Sequence, residues 1–599
     1  MRGLSPTAKF RARGGDSGNG HQLPCRVQFR RACHHGSPFR HRRFCRCFRV
    51  SGPCEERRHM KVVESVAEIL KRENIEIIFG YPVNHVLEYA ARANIRPIIV
   101  RQERIGLHMA DAMSRITSGA KIGVFAMQHG PGSENAYGAV AQAFGESVPI
   151  LVLPMGYARR LAHISPNFNS TQAMRPVAKS TEPVTAPAEV GNVLRRAFSK
   201  LRTGRGGPAV VEIPADLMQE ELPDELDYEP VYATRYGPDP EAVAQAAGLL
   251  RSAARPVIYA GQGIHYAKAW SGLRELAEKL AIPVCTSLGG KSAFPEDHPL
   301  SLGSGGVSMP KPVRTFLDQA DVILGIGCSF TETAFGVSMP TGKTVIHATL
   351  DPSDLNKDVR SKVGLVGDAD LTLKALLAAL EDEPPRDSSA VEAEISQSTE
   401  AWMAEWLPKL TSDAAPLSPY RVLWELQQTV DKANVVITHD AGSPRDQLSP
   451  FWKATTPLSY IGWGKTTQLG YGLGLAMGAK LACPEKLCIN VWGDAAIGFT
   501  GMDFETAVRE RIPILSILLN NFSMAIELKV MPVSTEKYRS TDISGDYAAM
   551  ARAFGGYGER VTEPGQIRDA IARGIAATES GQPALLEFIT SKEVQVSRH

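Results

Sequence analysis

The chain has no long apolar run. Its longest apolar stretches, IPILSILL (512–519) and VPILVL (148–153), are of strand length and fall well short of the roughly 18 residues that a membrane helix requires. No membrane span is expected, and no internal repeat is visible. Net charge is scarce as well. The formal +2 hides a leader, residues 1–59, that carries +11 from 13 Arg and 1 Lys against 3 acidic residues, leaving −9 for the rest. A body of mixed, net acidic charge gives nucleic acid no footing as a partner. Paired metal-ligand spacings are also missing. The leader holds five of the nine cysteines, at 25, 33, 45, 47 and 54, and five histidines, yet no C-x-x-C or H-x-x-x-H pair. A zinc module is one reading of it. A disordered stretch, a presequence or an extension upstream of a start at Met60 suits its lack of helical or strand period better. The other cysteines, Cys285, Cys328, Cys483 and Cys488, are scattered among apolar neighbours, which reads as reduced core thiols and a cytoplasmic location.

With 599 residues and 43% hydrophobic content, the chain is globular and too long for a single core, so three domains are expected. Met60 opens MKVVESVAEILKREN, whose apolar residues at 62, 63, 66, 69 and 70 describe an amphipathic helix. Strand-like and helical periods then alternate, which predicts an α/β fold.

The most informative stretch runs from Gly493–Asp494 to Asn520–Asn521. LCINVW before it and ILSILL near its end have strand composition, and 501–511 has helical period, so it reads as a βαβ unit. Parallel strands bring their carboxyl ends to one edge, so Asp494 and Asn521 can converge although 27 positions separate them. One carboxylate and one amide oxygen, with few other charges, suit Mg²⁺, which keeps its remaining positions for water and phosphate oxygens. The alternative is an ordinary βαβ unit with a polar strand end.

Upstream, Glu103 stands between the strand PIIV and a helix beginning near Ile105. Read alone, it is a first-turn acid that complements the helix dipole and pairs with Arg101 or Arg104. The turn Gly130-Pro131-Gly132 also lies between a strand and a helix, where glycines allow a ligand close approach. His129 beside it reads either as a proton donor to a reacting carbonyl or as a hydrogen-bonded structural residue. Ala441, Gly442 and Ser443 form another strand-to-helix turn of the anion-binding kind, and the glycines at 470, 472, 474 and 478 read as close helix packing.

The spacing from Gly493-Asp494-Ala495 to Asn521 resembles the signature of thiamine-diphosphate-dependent enzymes of the acetolactate synthase type. The resemblance spans about Met60 to Ile589. It implies three doubly wound parallel-sheet domains: pyrimidine-binding (60–230), central Rossmann-like (238–383) and diphosphate-binding (416–599), with 384–415 as a linker. It implies that Asp494, the Asn521 side chain and the Ser523 carbonyl ligate Mg²⁺, that Glu103 activates the cofactor's pyrimidine ring, and that Leu469 wedges the cofactor into its bent form. Gly130, Gly132 and Asn135 carry over, as do Ala441, Gly442 and Ser443, whose backbone amides would face the diphosphate. Ala495 replaces a family glycine, so close approach there requires a negative φ. Gln102 stands where many relatives have histidine, and Gln128 and His129 replace threonine and serine.

The resemblance further implies small carbonyl compounds as substrates, the cofactor as electron sink, and a homodimer or homotetramer with active sites between subunits. In the central domain the turn GQGIHY has only the glycines 261 and 263 of a dinucleotide fingerprint, and GIGCSFTETAFG (325–336) replaces the family's arginine-rich flavin segment. FAD is therefore not expected. Three functions stay open: carboligation or decarboxylation of small 2-oxo acids; cleavage of another donor, such as sulfoacetaldehyde, an acyl-CoA or a cyclic diketone; and a catalytically silent nucleotide-binding scaffold.

Overall fold

The computed structural model describes residues 60–462, 464–466 and 468–599. The leader, 1–59, and the readings placed on it lie outside the described residues. From Met60 on, the alternation of strand and helix resolves into three parallel sheets of six strands each, as the sequence leads one to expect.

In the first sheet the strands stand side by side as Arg96–Ile99, Ile77–Gly80, Gly123–Met127, Ile150–Gly156, Ala209–Pro214 and Ser180–Pro183, an order of 2-1-3-4-6-5 along the chain. The third sheet repeats that order with Tyr460–Ile461, Val435–His439, Leu487–Gly493, Leu515–Asn520, Ala584–Ile589 and Tyr557–Val561. The middle sheet differs. Its order is Val363–Val366, Thr344–Thr349, Val322–Ile326, Pro256–Ala260, Val284–Ser287 and Ser301–Gly305, the dinucleotide-fold order read from its far edge. Central strands such as Gly123–Met127 and Val435–His439 are buried at every position, as strands covered by helices on both faces must be.

The amphipathic helix after Met60 forms as Val62–Arg72, and the apolar side chains at 62, 63, 66, 69 and 70 are fully buried. More consequential for the site are the helices that follow the second strand of the first and third sheets. Glu103–Ile116 packs directly on Tyr471–Ala482, and glycines make the approach close: a Cβ on Gly474 would lie 2.5 Å from the His108 Cβ, and one on Gly478 would lie 2.4 Å from the Met109 carbonyl oxygen. A buried Asp111–Arg115 ion pair sits in the same seam, with Arg115 donating to the Tyr471 hydroxyl at 2.7 Å. The segment 384–415 is more than the linker expected. It contains the helix Ser389–Leu410, whose Trp402 and Trp406, one turn apart, bury themselves against Phe451 and Tyr420; the acidic start of the segment masks this apolar stripe. Among the described residues no helix is long and apolar enough to cross a membrane.

Candidate functional site

In an open parallel sheet, ligands settle beyond the carboxyl ends of the strands where the strand order reverses. In the third sheet that point lies between Val435–His439 and Leu487–Gly493, which Ala441, Gly442 and Asp494 directly follow. Asp494 opens the helix Asp494–Thr500 with Gly493 as its cap, and Ala495 is the second helical residue, so its φ is helical and negative. The Asp494 carboxylate accepts from the backbone N–H of Ala495 at 2.9 Å, Asn521 at 3.2 Å and Ser523 at 3.1 Å. Two N–H groups reach one oxygen because Phe522 between them takes a left-handed φ of 55°, a costly conformation for a bulky residue.

This turn leaves the Asn521 Oδ1 and the Ser523 hydroxyl buried with no hydrogen-bond partner among the described residues. A buried carbonyl oxygen without a donor is expensive unless a ligand completes it. Burial also pushes the Asp494 carboxyl up, against the pull of its backbone donors, a penalty that a cation would relieve. Among the described residues no three His, Cys, Asp or Glu side chains cluster as metal ligands. One carboxylate with amide oxygens fits a hard, water-keeping cation such as Mg²⁺ and not a softer metal.

The opposite side of the switch point is a turn, Ala441-Gly442, that feeds the helix Ser443–Leu448. Gly442 adopts φ 76°, and a side chain there would press on Ile526 at 3.3 Å. The Ala441 N–H is taken by Asp440 at 2.8 Å, while Gly442 and Ser443 stand at the helix start, where N–H groups have no acceptor within the helix. Leu469 is half-buried beside the core and precedes Gly470, which takes φ 84° and caps the helix Tyr471–Ala482.

Glu103 is the first residue of its helix and is 3% exposed. Its Oε2 accepts from Asn135 at 3.2 Å, and Gly132 leaves the room that its Oε1 occupies, since a Cβ there would come within 3.4 Å. Burial raises the Glu103 pKa, and the helix-start N–H and Asn135 oppose that rise. The carboxyl faces a cavity of about 470 Å³ lined by Tyr81, Gln102, Gln128, Phe499, Thr500 and Asp503 among others. Within this one chain Glu103 thus meets the far end of the helix that Asp494 opens, roughly 10 Å along its axis at 1.5 Å per residue. Gln128 lines that cavity, whereas His129 sets its ring edge-on against Tyr157 at 4.5 Å. Gly130, with φ 58°, caps the helix Pro131–Gly145 and leaves space for the Tyr157 hydroxyl.

Asp440, Thr500 and Asp503 escaped the sequence reading. The signal for Asp440 is an acid at a strand end ahead of a glycine turn, HDAG; Thr500 and Asp503 sit in helical surroundings that give none.

Comparison with known proteins closes the matter of family. Residues 60–178 match the model for the thiamine pyrophosphate enzyme N-terminal TPP binding domain, 243–376 the central domain, and 440–588 the C-terminal TPP binding domain, together well over half the chain. The chain belongs to the thiamine pyrophosphate enzymes. Within that family it is similar to the probable acetolactate synthase large subunit of Methanococcus aeolicus, at 29% identity over 88% of this chain and 92% of the relative. It is also similar to acetolactate synthase isozyme 3 large subunit of Escherichia coli, at 29% identity over 86% and 92% respectively. The corresponding large subunit of Corynebacterium glutamicum is 27% identical over 90% and 88%. Each matched domain of this thiamine pyrophosphate enzyme falls on a different one of its three sheets, the first match ending before the strands Ser180–Pro183 and Ala209–Pro214.

Proposed function

We propose that the chain is a thiamine diphosphate- and Mg²⁺-dependent enzyme that makes or breaks a carbon–carbon bond next to a carbonyl, in the manner of acetolactate synthase, on small 2-oxo acids. The observation that carries this reading is the convergence of Asp494, Asn521 and Ser523 at the third sheet's switch point with the Asn521 amide oxygen buried and unpartnered. Asp494, the Asn521 Oδ1 and the Ser523 carbonyl would hold Mg²⁺; Gly493, Ala495, Gly442 and Ser443 would line the diphosphate, with Ala441 shaping that loop; Leu469 would support the bend between the rings.

When bound, the cofactor supplies an electron sink for a carbanion beside the former carbonyl. Burial strengthens the hold of the Glu103 carboxyl on its proton, and Asn135 and Gly132 fix the direction of that carboxyl. Gln128 and Gln102 contribute amides to the same cavity, and His129 acts through Tyr157 on the shape of the glycine turn. The chemistry of cleaving another donor, such as sulfoacetaldehyde, an acyl-CoA or a cyclic diketone, is a second reading, favoured by Gln102 in the place of a histidine, by His129 and by the replaced segment 325–336.

We further place the protein in the cytoplasm as a homodimer or homotetramer with the site completed between subunits, supported by the half-exposed Phe499 and Met502 at the mouth of the Glu103 cavity. Small-molecule carbonyl substrates, and neither nucleic acid nor membrane, are its partners. FAD is not proposed as a cofactor, because the N–H groups of Gly261 and Gly263 are spent on the carbonyls of Ile326 and Gly327, at 2.8 Å each. The test is to start the protein at Met60, add thiamine diphosphate with Mg²⁺, and screen pyruvate, 2-oxobutyrate, glyoxylate and sulfoacetaldehyde for CO₂ release and new products. Tight, Mg²⁺-dependent binding with turnover of a 2-oxo acid is expected. Binding with turnover of sulfoacetaldehyde alone selects the second reading, and no binding by calorimetry leaves a silent scaffold.

A further inference from the structure

Asp440 is a fully buried carboxylate at the end of the strand Val435–His439, and its two oxygens are occupied by backbone donors from two separate segments. Oδ1 accepts from Ala441 N–H at 2.8 Å and from Gly470 N–H at 2.9 Å; Oδ2 accepts from Gly472 N–H at 2.9 Å. The Leu469–Gly470 peptide is held from its other side too, since Arg104 donates to the Leu469 carbonyl at 3.5 Å. The next carbonyl, that of Gly470, accepts from the Thr500 hydroxyl at 2.9 Å. The peptide groups that follow Leu469 are therefore pinned to different elements. Arg104 comes from the first sheet's helix, Thr500 from the helix that Asp494 opens, and Asp440 from the strand end between them.

We propose that Asp440 is a positioning residue for Leu469: one carboxylate that locks the Leu469–Gly470 turn to the Ala441–Gly442 loop and so sets how far the Leu469 side chain protrudes into the cofactor site. The proposal rests on the thiamine reading of Leu469. Its physical basis is the acceptor count. Converging N–H donors require a group that only accepts, and an ionised carboxylate is the side chain with two such oxygens and no donor. An amide in its place would keep the donors on one oxygen and set its own NH2 group against the N–H on the other. A carboxylate buried this deeply is costly, and the charge of the nearby Arg104 guanidinium, which also donates to the Leu469 carbonyl, offsets that cost. Gly470 completes the device, because with φ 84° it turns the chain sharply, and any side chain would run into Thr500 and Phe499 within 2.9 Å.

Bending a cofactor so that two of its own groups meet is an orientation effect, and displacements of about 1 Å in such geometry cost on the order of 100-fold in rate. The exchange of the thiazolium carbon proton of bound thiamine diphosphate reads that geometry without any substrate. The experiment compares wild type, Asp440→Asn, Asp440→Ala, Leu469→Ala and the Asp440→Asn/Leu469→Ala double variant, with thiamine diphosphate and Mg²⁺ as the probe. It measures cofactor Kd by calorimetry, carbon-proton exchange by acid-quench NMR, and backbone amide exchange at residues 470–472 by mass spectrometry on protein without cofactor. Asp440→Asn keeps one accepting oxygen, so it should fold and fall between wild type and Asp440→Ala.

The expected result is faster amide exchange at 470–472, a Kd within about threefold of wild type because Asp494 still holds the diphosphate end, and carbon-proton exchange slowed by about 10- to 100-fold. In the double variant the slowing should be no greater than in Leu469→Ala alone, the non-additivity of two residues acting through one contact. Wild-type carbon-proton exchange in a folded, cofactor-binding Asp440→Asn protein overturns the proposal alone, as does full additivity in the double variant. A wild-type protein that binds no thiamine diphosphate overturns the thiamine reading and this proposal with it.

Discussion

The first and third sheets share a strand order and differ in what their strand ends carry. In each, the helix after the second, edge strand packs on its counterpart from the other, so Glu103 and Leu469 stand at equivalent ends of two facing helices. Around the third sheet's switch point the turns end in acids, Asp440 after the first strand and Asp494 after the third. At the first sheet the corresponding third strand ends in Gln128 and His129, neither of them an acid. One topology thus carries two buried acids at the third sheet's switch point and a single buried carboxyl, Glu103, at the first. The lesson is that topology chooses the place for a site, and a handful of strand-end residues choose its chemistry.

Substitutions at the two ends should separate along this line. The largest effect is expected at the proposed metal end: Asp494→Ala removes the only carboxylate among the proposed metal ligands, and calorimetry should find cofactor binding with Mg²⁺ weakened by about 100-fold or more, with three backbone donors left without this acceptor. At the other end Glu103→Gln should leave that binding intact and lower turnover by about 10²- to 10⁴-fold, a range typical for a lost proton-transfer group. If both variants lose binding equally, the division of labour between the sheets is wrong.

A third test concerns the joint between the two sheets. Asp503, from the third domain, accepts from the Arg101 N–H of the first at 2.8 Å and from Thr506 at 2.9 Å, and burial pushes its carboxyl up to about 6 from the ordinary 3.8. A carboxyl raised in the folded state favours folding when protonated, so its contribution is present below pH 4 and is lost as pH rises through about 6. Wild type should therefore lose about 3 kcal/mol of stability relative to Asp503→Asn between pH 4 and pH 7, measured by denaturant unfolding. The smallest effect is expected at the helix seam. Gly478→Ala forces a methyl group onto the Met109 carbonyl and should cost about 1–3 kcal/mol by thermal melting, with cofactor affinity of the folded protein little changed.

Much of this architecture is legible in the residues themselves. Apolar runs of strand length, separated by helical periods, announce the alternation that became three parallel sheets, because buried strands and amphipathic helices each leave their own period in the chain. Asp494 and Asn521 are legible for the same reason, as polar residues placed just after such runs. In the helix Ser389–Leu410 the first turns are charged and only Ile395, Trp402, Trp406 and Leu410 mark the buried face, so the sequence there suggests a linker. His129 carries two readings in the sequence, a proton donor to a reacting carbonyl or a structural residue, and its ring packs edge-on against Tyr157. Sequence spacing cannot tell which of Gln128 and His129 points into the cavity, since adjacent residues beyond a strand differ in direction by the geometry of the turn.

The sequence by itself determined the α/β class, the strand ends and the kinds of groups they offer, since these depend on local period and on residue chemistry. Only the tertiary structure decided that Asp440 joins residues 441, 470 and 472, that Asn521 is left with an unpaired oxygen, and that Glu103 faces the far end of the Asp494 helix. Those facts depend on how distant segments dock, and docking is settled by the close packing of whole helices, here through Gly474 and Gly478, which no local pattern encodes.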